Sequence, residues 1–340
     1  MKINKFFLIV MAAVLAFSVS ACTSNQKTYS LLSGSYWLSD PSVSEVGAVN
    51  ETCVYDISFL PQDDDTPVKA EITGTLTTTL TRESYNDTQC YKFTTKVNTT
   101  GKYISGQNEY PVEDEMSSEC YFLGMSDKLF PLASSKTVNG LTPQKTGDVF
   151  TFHRVAYSVS TVYDYKNGKA TVTVTPDDRS EKGYEVPKSE RTYEKLSAKN
   201  TYFDNESLFM IARSCNLEAG FSARFTSIDA LSGKANVLTL SVDTSAASKE
   251  ISLSDYTLDG VTQGTEQSPK KITCDNVQIA ISDTFSGNPL LLSYASDNAN
   301  RKRLIEMTTY LPYLAGKLNY RLKSVTTKLF FCVQYKKAIY

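Results

Sequence analysis

The chain has 340 residues, with 35 Lys and Arg against 37 Asp and Glu, and a formal charge of −2 at pH 7. A near-neutral chain without a basic stripe interleaved with aromatics is not built to hold nucleic acid. The single histidine, His153, and the lack of any Cys-x-x-Cys spacing remove the zinc, haem and iron–sulfur signatures, so no metal and no cofactor is expected.

In chain order, Lys2 and Lys5 precede an apolar run from Phe6 to Phe17, and Val19-Ser20-Ala21-Cys22 closes it. A positive end, a short apolar core and small residues before a cleavage point form an export signal over 1–21. The run is short of the ~18–20 apolar residues that a spanning helix needs. Val19-Ser20-Ala21-Cys22 resembles the bacterial lipoprotein box, in which the cysteine thiol receives a diacylglyceryl group before cleavage. That resemblance implies a mature chain that begins at an acylated Cys22, anchored to the cell membrane and facing away from the cytoplasm. Losing Lys2 and Lys5 moves the formal charge from −2 to about −4. Thr23, rather than Asp, after Cys22 is compatible in a two-membrane cell with the outer membrane.

Residues 22–35 are small and polar and read as a tether. The body is expected over 36–327, as one antiparallel β domain or as two lobes, 36–145 and 146–327, with a tail over 328–340. Asp40 and Pro41 suit the start of a short helix running to about Val49. Beyond it, Tyr (21) and Phe (16) are plentiful and Thr, Ser and Val crowd the middle, which favours strands over helices. Period-2 alternation marks Ile72-Leu76-Leu80, Tyr91-Phe93-Val97 and Val155-Tyr157-Val159-Tyr163-Tyr165 as half-buried strands. Asn167-Gly168 between two alternating segments predicts a hairpin. Further strands are expected at Phe221-Phe225, Leu238-Val242, Val277-Ile281, Leu290-Tyr294, Leu304-Tyr310 and Leu318-Leu322, about ten to twelve in all. The fold class is therefore mainly β: a large curved antiparallel sheet or half-barrel.

One stretch departs from this pattern. Asp204 can cap, Glu206 lies in the first turn, apolar residues follow at helical spacing and Arg213 lies near the end, predicting one short helix near 204–214 wrapped by the sheet. Leu208, Ile211 and Ala212 share a face, set across the concave side.

No nucleophile elbow and no phosphate-binding loop occurs. His153 has no nucleophile motif beside it, and Asp63-Asp64-Asp65, Glu113-Asp114-Glu115 and Asp177-Asp178 read as solvated turns between strands. No catalytic residue is assigned, and the chain is read as a non-enzyme. Cys53, Cys90, Cys120, Cys215, Cys274 and Cys332 are either paired as disulfides outside the membrane or free in the core. Leu208, Ile211, Tyr157 and Tyr163 are the candidates for lining an apolar groove, because a phenol offers a flat hydrophobic face and a polar tip.

The run Tyr202-Phe203-Asp204-Asn205-Glu206-Ser207-Leu208-Phe209-Met210-Ile211-Ala212-Arg213 and the ending Gly316-Lys317-Leu318-Asn319-Tyr320-Arg321-Leu322 resemble elements of a group of uncharacterised bacterial envelope proteins. These are similar to the half-barrel of periplasmic lipoprotein carriers, which hold acyl chains in the concavity. The resemblance implies a membrane-tethered, non-catalytic lipoprotein that binds an apolar or envelope-derived ligand in its curved sheet. Two other readings stand beside it: a scaffold or adhesion lipoprotein that binds a partner protein, and a glycan hydrolase whose carboxylates meet only on folding.

Overall fold

The computed structural model describes residues 50–61, 68–125, 128–147, 149–204, 209–210, 213, 217, 220–228, 234–242, 248–281, 290–296, 302–311 and 316–327. The leader expected over 1–21, Cys22, the tether expected over 22–35, the helix expected after Asp40 and the tail expected over 328–340 lie outside these residues, as do Leu208 and Ile211.

Alternating Thr, Val, Tyr and Leu give long strands in the first half: β1 (Asn50–Pro61), β2 (Val68–Tyr85), β3 (Thr88–Ser105), β4 (Asn108–Met125), β5 (Lys128–Thr146), β6 (Val149–Asp164) and β7 (Lys169–Pro176). Shorter strands follow: β8 (Ser189–Tyr193), β9 (Tyr202–Phe203), β10 (Ser222–Ile228), β11 (Ala235–Val242), β12 (Ser248–Leu253), β13 (Thr257–Leu258) and β14 (Val261–Thr262). The last are β15 (Lys270–Ile281), β16 (Leu290–Ala295), β17 (Leu304–Leu311) and β18 (Gly316–Thr327). All eighteen join one large curved sheet that does not close into a barrel.

Neighbour order through the sheet runs β8–β7–β6–β5–β4–β3–β2–β1–β18–β17–β16–β15–β11–β10–β9. The first half is a meander of hairpins, each strand pairing with the next in sequence. β1 is the seam at which this meander meets the C-terminal strand β18. β15 is long enough to take β12 along its first half and β11 along its second. Two short pairings, β9 with β10 and β13 with β18, are parallel; the rest are antiparallel. The hairpin expected at Asn167-Gly168 joins β6 to β7, with Gly168 at φ 68° and the Asp164 side chain accepting from Asn167.

Two glycines shape the bend between β2 and β3. Gly101 has φ 140°, and a Cβ on it would fall 1.8 Å from Glu71 O; a Cβ on Gly74 would fall 2.2 Å from Asn98 O. Only hydrogen at these positions lets the two backbones approach this closely.

Inward residues of β1 to β5, β10 to β12 and β15 to β18 form one core with Phe209, Met210 and Leu217. A second cluster lies under β6 and β7, around Val159, Val172, Leu196 and Tyr202. A third fills one end, around Tyr103, Val112, Phe150 and Phe152. Cys53, Cys90, Cys120 and Cys274 are buried and not joined in disulfides, so the core alternative applies to these four.

The sequence reading undercounted the strands because β1, β4, β5, β8 and β12 carry charges or prolines that dilute their alternation. Glu113-Asp114-Glu115 is the clearest correction. It lies inside β4, not in a turn: Glu113 and Glu115 face out, while Asp114 takes the inward parity of Val112 and Met116.

Candidate functional site

Among the described residues, buried charge adjoins a cavity at two places. The first is in the hollow of the sheet. Glu51, Cys53, Tyr55 and Ile57 alternate inward on β1, which sends a carboxylate into an otherwise apolar interior. Two guanidiniums meet it there: Arg213 Nη1 donates to Glu51 Oε1 at 2.7 Å, and Arg303 Nε donates to Oε2 at 2.7 Å. Arg213 comes from a helical position and Arg303 from the residue before β17, so one side chain ties three distant segments together. Burial alone lifts the carboxyl's pKa, but Arg213 and Arg303 outweigh it and hold Glu51 at about 2. Burial, reinforced by Glu51, pushes the neighbouring Cys53 thiol up to about 12, so it stays protonated near neutrality. Tyr55 donates to Leu304 O at 3.0 Å, and Tyr294 donates to Phe209 O at 3.1 Å. A cavity of about 20 Å³ remains between this cluster and Leu80, Phe93, Phe209 and Met210, which is room for about one water.

Of the groove candidates, Tyr163 is buried and donates to Asp204 Oδ2 at 2.5 Å; Ser134 donates to the same oxygen at 2.6 Å. Burial and the Asp204 charge raise the Tyr163 phenol well above its ordinary pKa. Asp204, expected as a helix cap, follows β9 and reaches across to the inner wall of β5 and β6. Tyr157 is half-buried and packs against both larger clusters.

The second place is a fork in the sheet. β4 and β5 pair from Met125–Lys128 to Glu115–Asn139 and then part. Continuing that register would set Pro111 directly opposite Pro143. Glu113 O and Leu141 N both face the gap, and a residue two places along a strand faces the same way, so each proline nitrogen would also face it without a hydrogen. The ladder stops one pair short of the prolines, and neither proline can donate a bond to extend it beyond Glu113 and Leu141. Two side chains take up the freed backbone groups. Asp114 Oδ1 accepts from Leu141 N at 3.0 Å, and Arg154 Nη1 donates to Glu113 O at 3.0 Å and to Asn139 Oδ1 at 3.2 Å. Asp114 is 6% exposed, and burial raises its carboxyl to about 7, against the opposing pull of the Leu141 N–H and of Arg154 at 3.9 Å.

The fork opens a cleft of about 550 Å³ lined by Asn98, Thr99, Thr100, Glu113, Asp114, Glu115, Asn139, Arg154 and Arg179. The turn after β7 forms one wall. Glu181 N bonds Arg154 O and Ser180 Oγ bonds both backbone groups of Ala156, so the turn lies along β6 where β7 no longer covers it. Asp177 accepts from Arg179 Nε at 3.0 Å and Nη2 at 2.7 Å, fixing that guanidinium.

His153 stacks on Tyr184 with ring centroids 3.7 Å apart and contacts Glu181 Oε1 at 3.1 Å and Thr151 Oγ1 at 3.0 Å, a set of contacts that fastens the same turn. Among the described residues no group of three or more His, Cys, Asp or Glu is placed to hold a metal ion. None of their helices is long and apolar enough to cross a membrane.

Neither charged place was recognised in the sequence. The usable signal was parity: Glu51 on the face of Cys53 and Tyr55, and Asp114 on the face of Val112 and Met116.

No family model and no curated protein matches the chain. Among solved structures it is similar to a beta-barrel-like protein of a domain of unknown function from Brucella abortus. The TM-score is 0.46 at 12% identity, over 82% of this chain and 97% of that one.

Proposed function

We propose that this chain is a non-catalytic, lipid-anchored protein of the extracytoplasmic envelope, held to the membrane through Cys22, whose curved sheet receives an apolar or envelope-derived ligand. The observation that supports the ligand is the chemistry of the hollow. Its apolar wall of Tyr55, Leu80, Phe93, Phe209, Met210 and Leu304 ends on Glu51, Arg213 and Arg303. Such a lining suits an acyl chain with a polar head. Space for about one water means that a ligand enters only when side chains of this lining move aside.

Protein purified from membranes and extracted for mass spectrometry is expected to release a non-covalent lipid in addition to the acyl chains on Cys22. Preparations that carry none, together with failure to take up a fluorescent fatty acid, dispose of the ligand. The anchor is tested separately. Cys22→Ser is expected to lose incorporated fatty acid and to leave the membrane fraction, and a variant that sediments with membranes as the parent does would disprove the lipid attachment.

The tight packing around Phe209 favours a second reading, a scaffold or adhesion subunit. For that role, cross-linking in intact cells is expected to give one defined adduct with a second protein.

A further inference from the structure

We propose that the fork between β4 and β5 is a binding site for a neutral, hydroxyl-rich ligand of the short-oligosaccharide class, separate from the hollow and independent of the membrane anchor. The cleft's volume of about 550 Å³ lies within the ~300–1,000 Å³ usual for small-molecule sites. All nine lining residues are polar, so an acyl chain would strip their hydration without replacing it.

Charge narrows the class further. An anion entering the cleft meets Glu113, Asp114 and Glu115, and a cation meets Arg154 and Arg179. Both guanidiniums already have protein acceptors, Asn139 Oδ1 and Glu113 O for Arg154 and the Asp177 carboxylate for Arg179. Hydroxyl groups meet no such conflict. They donate to Glu113 and Glu115, and they accept from the amides of Asn98 and Asn139 and the hydroxyl of Thr100. At the floor, the Asp114 carboxyl sits close to half-protonated near neutrality, which lets one group offer either a donor or an acceptor to a sugar hydroxyl.

The site is also preformed. Asp114 and Arg154 hold the backbone groups freed at the fork, and the two prolines beyond them cannot rebuild the ladder, so a ligand does not have to break one to enter.

The test is calorimetric titration of the full-length protein in detergent with three neutral probes, triacetylchitotriose, cellotriose and maltotriose, and with spermidine and sulfate as charged probes. At least one trisaccharide is expected to bind more tightly than about 1 mM. That binding is expected to weaken at least tenfold in Glu115→Ala and in Thr100→Ala, and to be unchanged in Lys271→Ala on the distant strand β15. Glu115 and Thr100 are exposed on the outer face, so both variants keep the fold, and circular dichroism verifies it. Absence of binding by all three sugars, tighter binding of spermidine or sulfate than of any sugar, or sugar affinity indifferent to both cleft variants would overturn the proposal.

Discussion

Glu51 and Asp114 are both buried carboxyls on inward parity, and their surroundings push them in opposite directions. Glu51 has two guanidiniums on its two oxygens, and its charged form wins. Truncating it leaves Arg213 and Arg303 buried with their shared counter-charge gone, so Glu51→Ala is expected to cost about 3–5 kcal/mol in urea unfolding. Its folded pKa lies below the unfolded value, so its stabilisation is present above about pH 4.5 and is lost as pH falls towards 2. Asp114 has one backbone donor and a guanidinium at 3.9 Å, and desolvation wins. Its folded pKa lies above the unfolded 3.8, so the native state holds a proton that the unfolded chain releases, and stability falls as pH rises through about 4 to 7. Asp114→Asn keeps an acceptor for Leu141 N–H and has no charge to bury. It is expected to gain on the parent by a few kcal/mol, on the order of two to four, between pH 4 and pH 8. Denaturation curves of both proteins at the two pH values measure that difference; equal curves would show that Asp114 ionises freely.

At the scale of elements, the fork shows how two residues end a ladder that the flanking sequence would otherwise extend. β4 and β5 alternate well enough to pair further, but a continued register would set Pro111 opposite Pro143, where each should donate a hydrogen bond. Replacing both, Pro111→Val with Pro143→Thr, is expected to let pairing run on past Glu113 and Leu141. Amide hydrogen exchange should then slow across 109–113 and 141–145, and sugar binding in the cleft should be lost. Replacing one alone leaves the other proline opposite and is expected to change exchange little. The same logic explains why β4 was unreadable in the sequence. Pro111 beside a run of acids has the composition of a turn, yet the partner β3 supplies an unbroken ladder from Tyr91 to Ser105, and a strand follows the partner it is given.

At the scale of the molecule, the sheet is open between β8 and β9, and Asp204 bridges the opening from within. Its carboxylate takes hydrogen bonds from Ser134 on β5 and Tyr163 on β6, immediately after β9 has joined the far edge. Each such bond to a buried charge is worth roughly 1.5–3 kcal/mol, so Asp204→Ala is expected to loosen the closure of the whole curve. Limited proteolysis should then cut within 194–201 at protease levels that leave the parent intact, and an unchanged digestion pattern would place the closure elsewhere. By itself, the sequence determined the β class, the hairpin at Asn167-Gly168 and the inward positions of the strands it recognised. These are local properties: side-chain periodicity of two and a turn that needs positive φ can both be read along the chain. Only the tertiary structure decided that Glu51, Arg213 and Arg303 share one site, that β4 and β5 part after Glu115 and Asn139, and that Asp204 reaches Tyr163. Those pairings depend on strand register and on the curvature of the sheet, and both arise from interactions between segments far apart in the chain.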